Sequence, residues 1–184
     1  MANVDRPNGA RSAGRTLTGG SPQPAVEYSV DSSNSTAIFI GDFVVREADG
    51  NVAPYTGTGG GNLLGVCVGI KGDYGDLNRR YLPASTAGTI YVIDDPDHVF
   101  IVQEDDGGTA LTAADAGANC DVLAGTGDTT SGMSRHEIDR STVTTSSAQL
   151  RLIRLVPAED NAHGDFAKWE VVINEHAYKS TSGV

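Results

Sequence analysis

The chain has 184 residues, the length of one domain, with 24 carboxylates against 13 lysines and arginines for a net charge of −11. Its 39% hydrophobic content excludes wholesale disorder and a collagen-like repeat. A pI near 4.6 argues against nucleic acid as a partner, because a phosphate backbone demands a basic face. The longest apolar run, residues 63–70, contains two glycines and is far short of the ~20 residues a membrane helix needs, so no membrane partner is expected. The polar first 21 residues do not have the pattern of a secretory signal.

Residues 1–27 read as an extended arm. They contain Pro7, Pro22 and Pro24 and almost no large apolar side chain, too little to offset the entropy of ordering, so the isolated segment is expected to be flexible. Arg6, Arg11 and Arg15 against Asp5 and Glu27 make the arm weakly basic on an acidic body, a polarity that suits docking onto another acidic surface.

From residue 28 to 184 the texture is short β-type runs broken by Gly, Asp, Asn and Pro. Candidate strands are 28–31, 36–40, 42–47, 63–70, 89–93, 99–104, 120–123, 149–156 and 168–174, an all-β spacing. Asp49-Gly50-Asn51 reads as a tight turn between two strands, and Gly57 to Gly61 as a loop. If strands 89–93 and 99–104 form a hairpin, Asp94, Asp95 and Asp97 lie at one end of it and Glu104, Asp105 and Asp106 at the other. The segment around 112–117 offers one or two helical turns. Residues 125–147, rich in Thr, Ser and Gly, form a long excursion with one short strand at most, of the kind that is functional or partner-bound.

The last two runs alternate most clearly. Leu150, Leu152 and Arg154 oppose Arg151, Ile153 and Leu155, while Trp169, Val171 and Ile173 oppose Glu170, Val172 and Asn174. Apolar residues on both sides imply strands covered on both faces, in a small closed barrel, a sandwich or a subunit interface.

Chemistry-bearing motifs are sparse, and the expectation is no catalytic residue, no cofactor and no metal. His98, His136, His163 and His176 never fall at the i, i+4 spacing of a helical metal site. His136, beside Glu137 and Asp139 in a polar loop, reads as a solvated histidine. Ser131 lacks the strand-turn-helix setting of a strained nucleophile, and the glycine runs at 57–61 and 125–127 lack the features of a phosphate cradle. Cys67 and Cys120 read as small buried hydrophobes, and the acidic runs as turns. Asn34-Ser35-Thr36 matches a glycosylation acceptor by accident.

The stretches AIFIGDFVV, GNLLGVCVGI, RRYLPAS, IYVIDDPDHVFIVQED, TAADAGANCDVL, QLRLIRLVP and AKWEVVINEHAY, with the opening ANVDRPNGAR, resemble the head cement, or decoration, proteins of tailed bacteriophages. The resemblance implies a non-enzymatic virion protein on the outer surface of the capsid. It would clamp neighbouring copies of the major capsid protein against internal pressure, often as a homotrimer. On that reading Arg6, Arg11 and Arg15 are charge contacts to the capsid, and Pro22 and Pro24 are stiff spacers that keep the arm extended. The alternative is a head-fibre or host-attachment module that binds surface glycan through loop aromatics such as Tyr55, Tyr74 and Tyr81, with Trp169 left to the core.

Overall fold

A computed structural model describes residues 3–57, 61–72, 76 and 78–179. Eleven strands form two antiparallel sheets: β1 Arg11–Thr16, β2 Val26–Val30, β3 Phe43–Arg46, β4 Val52–Pro54, β5 Leu63–Ile70, β6 Gly88–Ile93, β7 His98–Gln103, β8 Asn119–Leu123, β9 Glu137–Thr144, β10 Leu150–Leu155 and β11 Lys168–Ile173. One sheet has the order β1-β7-β11-β10-β8-β9 and the other β2-β6-β5-β3-β4. They pack face to face as a sandwich and not as the closed barrel that the sequence also allowed. Among the described residues no helix is long and apolar enough to cross a membrane.

The main core lies between the sheets, where Phe43, Leu63 and Val66 meet Phe100, Leu152, Trp169 and Val171. A second core of Val30, Ile38, Val44, Leu64, Cys67, Leu82, Ile90 and Val92 lies on the far side of the five-stranded sheet. Its edge strands β2 and β4 approach one another, and Ile38 and Leu82, joined by an isolated bridge, pack into this second core. Successive residues of β5 therefore serve different cores, Leu63 and Val66 the first and Leu64 and Cys67 the second. This is the two-sided burial that a near-continuous apolar run demands.

Three expectations change in the structure. The runs at 89–93 and 99–104 are not a hairpin, because β6 pairs with β2 and β5 while β7 pairs with β1 and β11. Asp94 to Asp97 is the crossover between sheets. Asp95 caps it by accepting the Asp97 amide at 3.0 Å, and Asp94 accepts the Tyr28 hydroxyl. Within the 125–147 excursion, Glu137–Thr144 is an eight-residue strand, β9, paired with β8. The run at 36–40 forms no strand and makes only isolated bridges through Ile38 and Ile40. Other expectations hold: Gly50, at φ 91°, turns β3 into β4, and Thr112 caps a single 3₁₀ turn, Ala113–Asp115.

Candidate interaction surface

The arm is laid onto the body rather than free of it. Residues 11–16, RSAGRT, have no apolar periodicity, yet they form β1 because β7 offers an open edge of backbone donors and acceptors. Polar tethers fix the preceding residues. The side-chain amide of Gln103 accepts from the Arg6 amide at 3.3 Å and donates to the Val4 carbonyl at 2.9 Å. Asn3 donates to the carbonyls of Ala162 and Asp165. Gly9 and Gly41, at φ 65° and 98°, let the two backbones cross closely enough for Ala10 N–H to reach Gly41 O at 2.9 Å, and Ala10 is buried in the main core. Within the folded chain residues 3–16 are therefore held in place: backbone pairing and side-chain tethers supply the stabilisation that apolar burial could not. Pro22 and Pro24 lie exposed in the connection from β1 to β2.

Strand register then decides which cations share a face. Arg11 lies opposite Ile101, Ile101 opposite Glu170 and Glu170 opposite Arg154, so one row crosses β1, β7, β11 and β10 on the outer side of the six-stranded sheet. Their neighbours Val102 and Trp169 point inward to the core. Lys168, two residues before Glu170, and Arg151, opposite Val172, lie on the same outer face. Strict alternation puts Arg151 and Arg154 on opposite sides. A bulge between Leu152 and Arg154 overrides it, returning Arg154 to the outer face and Leu155 to the core side.

Glu170 is the hinge pin of this face. It is 6% exposed, accepts Arg154 Nε and Nη2 at 2.9 and 3.0 Å, and pairs with Arg15 across the intervening strand β7. Burial pushes its pKa up, but the two guanidinium groups outweigh burial and hold it below the ordinary glutamate range. Arg15, expected as an outward contact, is therefore spent on clamping β1 to β11, whereas Arg6 and Arg11 remain exposed. The Nε of Arg15 is buried without an acceptor. Arg151 and Arg154 are also exposed, and Lys168 is half-buried beside Asp160 at 3.9 Å. No local sequence signal joins these three to the arm; the register does.

Arg6 also stands at the mouth of a polar cleft of about 730 Å³ between residues 5–8 and the 125–137 loop, lined by Asp5, Asp128, Arg135 and Glu137. A second cleft of about 380 Å³ lies on the other side of that loop, against Phe39, Asp42, Tyr55 and His136. His136 is not solvated as its polar neighbours suggest, but 3% exposed. Its Nδ1 accepts the Phe43 amide at 3.2 Å, which leaves the proton on Nε2, 3.4 Å from Asp42. Both ring nitrogens thus face the protein's own fold, and burial pushes the imidazole pKa down to about 4. Tyr55 is 8% exposed and Tyr81 stacks on Phe39 at 5.0 Å; Tyr74 lies outside the described residues.

The remaining groups singled out in the sequence take structural posts. Glu104 and Asp105 turn inward to Arg140. Asn34 is 8% exposed, and its amide group bonds both the N–H and the C=O of Thr36. Cys67 and Cys120 are free and buried, and burial pushes the Cys67 thiol up to about 12. The carboxylates that do converge are Asp31, Glu47 and Asp49, with one oxygen of each within 4.8 Å of the others. Comparison of the chain with protein-family models, with curated proteins and with solved structures finds no match.

Proposed function

We propose that this chain is a non-enzymatic structural protein that binds the outer surface of a tailed-phage capsid and clamps neighbouring major capsid subunits, working as a homotrimer. The observation that supports it best is the placement of apolar surface. Of six large hydrophobic side chains exposed among the described residues, three lie in the arm and its junction with the body: Val4, Leu17 and Val26, at 62%, 46% and 44%. Residues 3–16 are already ordered on a rigid sandwich, so a contact made through them costs little further ordering entropy. Many weak contacts of this kind, repeated over a shell, add up to firm attachment.

The test is co-sedimentation of the purified protein with undecorated heads. The full chain is expected to co-sediment, and the triple variant Val4→Asp, Leu17→Asp, Val26→Asp to bind at least tenfold more weakly while melting within a few degrees of the parent. Equal binding by both removes the arm from the contact, and no binding by the full chain overturns the reading. Deleting residues 1–27 is a poorer test, since it also strips β1 from its sheet.

A further inference from the structure

We infer that the outer face of β1, β7, β11 and β10 in the six-stranded sheet is a docking surface for a carboxylate-rich face of a partner protein. The inference rests on the reading above for the partner being a protein, and it adds the chemistry of the contact. Six of the 13 cations, Arg6, Arg11, Arg15, Arg151, Arg154 and Lys168, gather on or beside this face. Glu170 and Asp160 are the carboxylates that pair with them. On the same side of the sheet β8 and β9 carry Asp121 and Asp139, opposite one another and pointing away from the core that holds Cys120, Val122 and Ile138, so the basic part of the face ends at β10. In a chain of net charge −11, this leaves a locally basic patch over β1, β7, β11 and β10.

Two features select carboxylate as the ligand. Five of the six cations are arginine, whose planar fork accepts a carboxylate through two parallel hydrogen bonds. The face already holds one carboxylate in that manner, Glu170 between Arg15 and Arg154. Ile101, half-buried in the middle of the row, adds a small apolar contact. A long polyanion fits less well: four strands span roughly 15–20 Å, beyond which a nucleic acid would run onto Asp121, Asp139 and the acidic remainder of the surface. A compact acidic patch stays within the basic face.

Immobilised poly-L-glutamate in 50 mM NaCl, read by interferometry, serves as the carboxylate probe. A 30-base-pair DNA is the competing polyanion, and light scattering reports self-association. The parent is expected to bind polyglutamate, and the variant Arg11→Glu, Arg151→Glu, Lys168→Glu, which leaves the Arg15–Glu170–Arg154 clamp intact, to bind at least tenfold more weakly. The control Arg79→Glu, Arg80→Glu, Arg135→Glu carries the same charge change and is expected to bind within threefold of the parent. An equal loss in both variants, no binding by the parent, or tighter binding to DNA overturns the inference. So does a salt-sensitive oligomer that only the first variant dissolves, since the face would then belong to a second copy. Undecorated heads separate the two proposals. Heads that bind the parent and the Arg11 variant equally sink the face alone; heads that bind neither, with polyglutamate still bound, sink the capsid reading alone.

Discussion

Two carboxylates, Glu104 and Glu170, sit 0% and 6% exposed against arginine, and their pKa values move in opposite directions. Glu104, just past β7, lies 3.5 Å from a single guanidinium, that of Arg140, and accepts the Trp169 indole N–H. Arg140 divides its donors among Gly107 O, Gly108 O and Asp165, so burial wins and pushes the Glu104 pKa up to about 7. Glu170 has two guanidinium groups and a route to solvent along the outer face, and its pKa falls. The difference teaches that the count and orientation of donors, not proximity to arginine, decides which charge the fold keeps.

The largest effect should come from breaking the inner knot. Arg140→Ala removes the cation from beside Glu104 and Asp105 and frees the carbonyls of Gly107 and Gly108. Denaturant unfolding at pH 8 is expected to show a loss of about 3–5 kcal/mol. The loss should shrink at pH 5, where Glu104 binds a proton and no longer needs the cation. An equal loss at both pH values would mean that Arg140 acts through its carbonyl and aspartate contacts and not through Glu104.

Next is the pH dependence itself. Because the folded chain keeps a proton on Glu104 that the unfolded chain releases, stability from this group is complete below pH ~4.5 and is lost as pH rises to about 7, by about 3 kcal/mol at most. Glu104→Gln should flatten that decline without abolishing it. Glu137, raised to about 7 by burial and by Asp5, Asp105 and Asp106, contributes in the same sense. Thermal melts from pH 5 to 8 read the change, and an unaltered slope would mean that Glu104 is ionised throughout.

The same contrast explains what the sequence discloses. Strand β5 is legible to the residue because LLGVCVGI must be buried whichever sheet it joins, and β7, β8, β10 and β11 follow from similar runs. Strands β1 and β9 carry no such pattern: RSAGRT and EIDRSTVT are strands only because a neighbour's open edge pairs with them, a tertiary cause invisible in a local window. The pairing partner of 89–93 is equally hidden, since Asp-Asp-Pro-Asp punctuates a hairpin and a crossover alike. Arg6, Arg11 and Arg15 stand out by composition. Arg151, Arg154 and Lys168 join them through register and one bulge, and a single-residue slip in β10 would have turned Arg154 to the other side. His136 misleads for a related reason: polar neighbours in sequence say nothing of the Phe43 amide and Asp42 that enclose it.

The smallest effect belongs to the outer clamp. Arg15 is about one-third exposed, so its pair with Glu170 is partly screened, and Arg154 remains bound to the carboxylate when Arg15 is removed. Arg15→Gln should therefore cost only about 0.5–1 kcal/mol, equivalent to roughly two- to fivefold in an opening equilibrium. The cost should fall locally. β1 has no other side chain on Glu170, and much of its outward surface is exposed, so its amides should exchange two- to fivefold faster while those of β7 and β11 hold their rates. Uniform acceleration through all three strands would mean that β1 opens only with the whole sheet, making the arm an inseparable part of the sandwich rather than a strand latched onto its edge.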